Sequence, residues 1–121
     1  PMSFSTPRDV LDAYAEGCKR LDRDLLTRCF HPQAVMAGDL DGKLLVGGPA
    51  PFLDDVAGIA AAGIDHTDFS ANVIELTVNG RVAAGAVHSF NFAGRFEFLD
   101  RFHLIEDESG WRITSKSFTT L

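Results

Sequence analysis

The stretch Phe96-Glu97-Phe98-Leu99-Asp100-Arg101-Phe102-His103-Leu104 alternates in polarity. Successive side chains of a strand point to opposite faces, so Phe96, Phe98, Asp100, Phe102 and Leu104 share one face. Four of the five are large and apolar, which predicts that this face is buried. An ionised carboxylate among them is costly unless a dedicated donor meets it or its pKa rises. A carboxyl held in that way is what a small acid–base or ligand-binding pocket uses. The segment therefore predicts a sheet with one buried face and Asp100 lining a pocket.

The flanking sequence extends the sheet. His66 to Val78 reads as one long strand, and Asn79-Gly80 is a strong hairpin signal. Val82 to Phe92 follows, Ala93-Gly94 turns, and Phe96 to Glu106 returns. Asp107-Glu108-Ser109-Gly110 turns again before a last strand from Trp111 to Thr120. Together these make a four-stranded antiparallel meander. Val82, Ala84, Ala86, His88, Phe90 and Phe92 share a face that is apolar except for His88. A three-residue turn over Phe92-Ala93-Gly94 puts His88 diagonal to Asp100, and one over Ala93-Gly94-Arg95 puts it directly opposite; both are within contact range. A four-residue turn at Asp107–Gly110 sets Ser117 opposite Asp100, on the face of Trp111 and Ile113, with Ser115 as a further wall residue. The other face of the meander carries Val87, Leu99, Arg101, His103 and Ile105.

Upstream of the meander the sequence has helical periodicity. Thr6-Pro7-Arg8-Asp9 is a helix start, with Thr6 as cap and Pro7 at the first helical position. The helix runs to about Arg20, and Val10, Tyr14, Cys18 and Leu21 form its inner stripe. A buried Tyr14 hydroxyl needs a partner. Asp22 caps a second helix with Leu25, Leu26, Cys29 and Phe30 inward, and Pro32 stops it after His31. Val35 to Ala37 is a short strand, Gly38 to Gly42 a turn, and Lys43 to Val46 a returning strand. Gly47-Gly48-Pro49-Ala50-Pro51 breaks the chain. Phe52, Leu53, Val56, Ile59 and Ala60 mark a third helix that Gly63 ends. Three helices packed on one face of a curved antiparallel sheet make an α+β, cone-shaped roll, 1–121 forming a single domain around a pocket.

The bulk numbers agree with that class. A chain of 121 residues with 45% hydrophobic and 23% charged residues is an ordinary one-domain globular composition. The net charge of −6 disfavours nucleic-acid and anionic-membrane surfaces, which need clustered Lys and Arg. Ten Phe against one Tyr and one Trp, five of them between Phe90 and Phe102, suggest one aromatic-walled region. Cys18 and Cys29 read as reduced core residues of a cytoplasmic protein. No apolar stretch approaches membrane-spanning length, and Met2-Ser3-Phe4-Ser5 has no signal-peptide character. His31, His66, His88 and His103 lack metal-ligand spacing, and no phosphate loop, nucleophile elbow or dinucleotide fingerprint occurs. Pro1 offers an N-terminal amine of the kind tautomerases use as a base, but nothing else in the chain reads as that fold.

Each candidate also has a plainer reading. Asp100 reads as a structural carboxylate salt-bridged to Lys116 or Arg112. His88 and Tyr14 read as satisfied core residues, and Asp39, in a Gly-rich turn, reads as solvated. The phenylalanines are core and pocket wall at once.

The order of elements resembles the nuclear transport factor 2-like superfamily. Asp22-Arg23-Asp24-Leu25-Leu26, followed by Phe30-His31-Pro32-Gln33-Ala34-Val35, is similar to that fold's second-helix signature. Gly110-Trp111-Arg112-Ile113-Thr114-Ser115-Lys116 is similar to its last strand. The style is that of the bacterial SnoaL-like and lumazine-binding group. The fold hosts isomerases, dehydratases, cyclases, hydrolases and plain binders, so the resemblance implies the fold more firmly than the function. Within it, Val10 to Tyr14 aligns with the tyrosine segment of ketosteroid isomerases and Leu99 to Phe102 with their oxyanion aspartate. Their base position falls on Gly38, one residue before Asp39, and a one-residue shift on a strand reverses the face. The resemblance thus implies an oxyanion pair, Tyr14 and Asp100, without the usual base; Asp39 would need a bulge to replace it, and His88 is the better substitute. His88, Tyr14, Asp100 and Ser117 also match by type the residues of scytalone dehydratase-like members.

The expectation is a cofactor-free, metal-free acid–base enzyme of isomerase, dehydratase or cyclase type acting on a small hydrophobic carbonyl or hydroxy compound. Asp100, His88 and Tyr14 are its catalytic candidates, and Phe30, Phe90, Phe98, Phe102 and Ser117 its ligand-binding candidates. The alternatives are a non-catalytic binding module and a structural dimer domain. A homodimer through the outer sheet face is expected, as is usual in the family, with no nucleic-acid or membrane partner.

Overall fold

A computed structural model describes residues 3–121; the N-terminal proline lies outside the described residues. Helix α1 (Pro7–Arg20) starts where Thr6 Oγ1 accepts the Asp9 N–H at 3.1 Å. It ends at Leu21, whose φ of 51° lets its N–H return to Cys18 and Gly17. Asp22 then caps α2 (Arg23–Cys29) by accepting from the Leu25 N–H at 3.0 Å. The helix stops at Cys29 rather than at Pro32, because strand β1 (Phe30–Leu40) begins at once. Pro32 lies between Phe30 and Val35, where β1 shifts register against its neighbour and has not yet met β2, so its missing N–H costs no ladder bond. Asp41 and Gly42, both at positive φ, turn the chain into β2 (Lys43–Gly47). Helix α3 (Ala50–Ala61) follows.

The remaining strands are β3 (Ser70–Asn79), β4 (Val82–Phe92), β5 (Phe96–Asp107) and β6 (Gly110–Thr120). Strand β3 starts at Ser70 and not at His66. His66 is instead buried in the preceding loop, with Nδ1 3.1 Å from the Lys19 carbonyl and Nε2 accepting the Ala93 N–H at 3.0 Å. With the Ala93 N–H donated to Nε2, Nδ1 is the ring nitrogen that faces the Lys19 carbonyl. The β3–β4 turn is Gly80-Arg81, one residue later than the Asn79-Gly80 signal, since Asn79 pairs with Val82.

The sheet order is β2-β1-β6-β5-β4-β3, antiparallel throughout except for the parallel β1–β6 pair. The three helices and this six-stranded sheet form the expected α+β roll. The core, among it Val10, Leu11, Leu26, Val56, Val87, Phe102, Leu104 and Ile113, lies between helices and sheet.

Two of the bulges, in β4 and β6, change the faces that simple alternation assigns to the site candidates. The loop Ala93-Gly94-Arg95 does join the paired Phe92 and Phe96. Between Ser89 and Phe92, however, the register shifts, and Asn91 takes φ 65°. Beyond that point Val87 pairs with Asp100, and His88 with Leu99. Val87 is therefore buried, while His88 and Phe90 turn to the outer face. A second shift leaves Thr114 between the pairs Leu104–Ile113 and His103–Ser115. Asp100 then faces Phe118, Arg101 faces Ser117, and Lys116 joins the inner face. Each bulge inserts one residue, so each inverts every side chain beyond it.

Because Asn91 holds a left-handed backbone, Asn91→Val should lower stability by about 1–3 kcal/mol. Asn91→Gly should lose only the side-chain hydrogen bond to the Asp68 carbonyl. Urea unfolding of both variants measures the difference.

Candidate small-molecule site

Tyr14 faces inward at the middle of α1, and its hydroxyl donates to Asp100 Oδ2 at 2.8 Å in a fully buried contact. From β6, Lys116 brings its Nζ to 3.9 Å from the same oxygen. Asp100 and Lys116 are each only 4% exposed. Asp100 Oδ1 has no hydrogen-bond partner among the described residues. Three elements distant in sequence thus meet at one carboxyl group.

Aromatic rings surround the lysine. Its Nζ lies 3.8 Å from the Phe52 ring centroid, 5.1 Å from that of Tyr14 and 5.4 Å from that of Phe118. Ring faces attract a desolvated cation and offset part of its burial cost. Burial also pushes the Asp100 carboxyl above its ordinary 3.8, against the opposing pull of Lys116 and the Tyr14 hydrogen bond. Burial, followed by the Asp100 charge, holds the Tyr14 hydroxyl well above 10, so it stays a donor. Cys18 is buried beside them with its thiol pushed up to about 12 by burial, which makes it a poor nucleophile.

The cluster opens on a cavity of about 580 Å³ between α3 and the inner sheet face. Small-ligand sites commonly span about 300–1,000 Å³. Phe52, Phe69, Phe92, Phe96, Phe98 and Phe118 supply most of its aromatic wall, and Ser89 adds a hydroxyl. Asp54 and Asp55 of α3 also border it.

Of the residues singled out from the sequence, Tyr14 and Asp100 come together, and Phe98 lines the cavity. Phe30 and Phe102 do not line it. They pack behind Tyr14, with ring centroids 6.4 Å and 4.8 Å from the tyrosine ring. His88, Phe90 and Ser117 lie on the outer face, away from Asp100, for the reason of register given above. His88 Nε2 is 2.7 Å from Glu97 Oε2, and its ring packs on Phe90 at 4.5 Å. Lys116, which the sequence offers only as a structural counter-ion, is a cavity residue. No sequence signal marks the Thr114 bulge that turns it inward. Phe52 was visible as a helix residue, but not as the ring beneath a lysine.

The position that the resemblance gives to a base holds glycine for a steric reason. A Cβ at Gly38 would collide with the Phe118 carbonyl oxygen and come within 2.5 Å of its ring carbons, because β1 and β6 pair in parallel at this point. Asp39 does not replace it, since its Oδ1 accepts the Gly42 N–H at 2.7 Å and closes the β1–β2 turn. Among the described residues no cluster of three His, Cys, Asp or Glu is placed to hold a metal ion. No described helix is long and apolar enough to cross a membrane.

An α+β roll with one buried acid facing an aromatic cavity defines a small-molecule-pocket class. Residues 3–119 match the family described as "Putative lumazine-binding", and the chain belongs to that family, within the nuclear transport factor 2-like superfamily. It is similar to an NTF2-like protein of unknown function from Shewanella baltica OS155. That match has 27% identity over 94% of this chain and 90% of the other, at TM-score 0.79. A second such protein, from Silicibacter pomeroyi DSS-3, also has 27% identity, covering 94% and 92%, at TM-score 0.81. A ketosteroid isomerase-like protein from Erwinia carotovora atroseptica shares the fold at 14% identity, 94% and 92% coverage and TM-score 0.64. No curated protein matches the sequence.

Two predictions test the cluster. Tyr14→Phe removes a donor from a buried carboxylate and should cost about 1.5–3 kcal/mol in chemical denaturation. The second concerns pH. With its carboxyl raised, the native state keeps a proton that the unfolded chain loses above 3.8. Stability then falls as pH rises from 3.8 through the raised native value, and the penalty is absent below 3.8. The stability of the wild type minus that of Asp100→Asn should decline over that range. A rising difference would show that the Lys116 and Tyr14 contacts outweigh burial.

Proposed function

We propose that the cavity receives a small, largely apolar molecule carrying a carbonyl or hydroxyl group and acts on it by acid–base transfer without a cofactor. The reaction is of the isomerase, dehydratase or cyclase type. One observation carries this reading: Asp100 lines an aromatic cavity with one oxygen held by Tyr14 and the other unpartnered. The unpartnered oxygen is buried without a donor, an unmet demand that a ligand group reaching it would satisfy. Protonated, Asp100 donates to a developing oxyanion; ionised, it takes a proton from carbon. The Lys116 charge favours an oxyanion beside it. With His88 on the outer face and Gly38 filled by Phe118, proton transfer falls to Asp100.

A non-catalytic binding module is the second reading, and the steric closure of the base position favours it. The exposed Val35 and Leu44, at 58% and 78%, lie on the outer sheet surface beside Ser115 and Asp39 and support a homodimer there. Two free, buried cysteines fit a reducing, cytoplasmic setting.

A panel of small cyclic ketones, hydroxyketones and enones, followed by NMR, tests the catalytic reading. Turnover should fall by at least about 100-fold in Asp100→Asn, the lower end of what general acid–base catalysis supplies. It should be unchanged in His88→Ala. Saturable binding without turnover selects the binding module, and absence of any saturable binding refutes the pocket reading itself.

A further inference from the structure

We propose that Lys116 is an imine-forming lysine: its amine condenses with an aldehyde or ketone held in the cavity and carries it as a covalent iminium ion. The proposal rests on the reading above only in requiring that a carbonyl compound enters the cavity.

The surroundings of the amine carry the argument. Lys116 is 4% exposed, lines the cavity and has Asp100 Oδ2, at 3.9 Å, as its ionic partner. That distance exceeds a hydrogen bond, so the ammonium is held by charge and ring faces rather than by directed bonds. A lysine desolvated in an apolar pocket is the usual form of an amine nucleophile. The chain's two other lysines are placed differently. Lys19 Nζ donates to the Thr67 and Phe69 carbonyls at 3.2 and 3.0 Å, and Lys43 is exposed on the β1–β2 hairpin.

The reaction balances with the groups present. Asp100 takes a proton from the ammonium, and the free amine adds to the carbonyl carbon. The carbonyl electron pair moves to oxygen, which is protonated from Asp100 to give a carbinolamine. The nitrogen lone pair then expels that oxygen as water, its second proton coming from the carbinolamine nitrogen by way of Asp100. The sum is ammonium plus carbonyl compound giving iminium plus water, with no oxidant or reductant. Burial of the Asp100 carboxyl raises its proton affinity, which suits it to this relay. The iminium bears the same single positive charge as the ammonium it replaces. The faces of Phe52, Tyr14 and Phe118 and the carboxylate of Asp100 are therefore already arranged for it. An iminium also draws electrons from the adjacent carbon, so an α-proton becomes acidic beside the same Asp100. This makes carbonyl compounds with an α-hydrogen or a cleavable β-bond the substrate class.

Reductive trapping provides the test. The intact protein is incubated with a limiting series of benzaldehyde or cyclohexanone concentrations and sodium cyanoborohydride, and the alkylated residues are located by peptide mass spectrometry. Lys116 should be labelled more than about tenfold faster than Lys43, a small part of the advantage that positioning gives a reacting pair. Labelling should saturate with carbonyl concentration, and Lys116→Arg, which keeps the charge, should abolish it. Asp100→Asn should slow it without redirecting it. Labelling that follows exposure, with Lys43 reacting first and Lys116 untouched, overturns the proposal. If the same carbonyl compounds still bind saturably in that case, the pocket reading stands and only the covalent step is refuted. If they do not bind, the pocket reading falls with it. The wild-type labelling map decides the matter even where a variant fails to fold.

Discussion

A carboxyl group with almost no solvent exposure cannot stand alone, and the architecture follows from how Asp100 is partnered. Its hydroxyl donor comes from α1 and its cation from β6, while β5 supplies the acid itself. Helix, central strand and last strand are thereby tied at one point inside an aromatic shell. Breaking a buried ion pair from one side typically costs about 3–5 kcal/mol, because the remaining charge is left in a poor solvent. The cluster is therefore both a constraint on how α1 sits over the sheet and the polar end of the cavity.

The second constraint is the pair of one-residue insertions in β4 and β6. In each strand the alternation of faces is intact on either side of the bulge but opposite in sense. The β4 bulge carries His88 and Phe90 outward and Val87 into the core. The β6 bulge does the reverse for Lys116, exchanging it with Ser117. The chemistry of the cavity is thus set by register: a histidine and a serine leave, and a lysine enters. The resulting site is less like a ketosteroid isomerase with a replaced base than like an amine and an acid sharing one apolar chamber.

Gly38 shows the same economy at backbone level. The parallel pairing of β1 with β6 brings Phe118 so close that only glycine fits, and the ring that excludes a side chain there also forms part of the lysine's aromatic surround. Exclusion of a side chain at position 38 and formation of the lysine pocket are one packing event.

Much of this was legible in the residues. The helix starts at Thr6 and Asp22, the Asp100 face of β5, the inward Tyr14 and the α+β class follow from local capping chemistry and strict periodicity, which need no knowledge of neighbours. The Tyr14–Asp100 pairing was legible only through family resemblance. What the chain could not reveal by itself is the facing of β4 beyond Asn91 and of β6 beyond Thr114. The β4 bulge is held by the paired strand and by the loop carbonyl of Asp68, 23 residues away, and a bulge leaves no mark in composition. Periodicity therefore determined which residues share a face within each segment, and tertiary packing alone decided which of those faces meets the cavity.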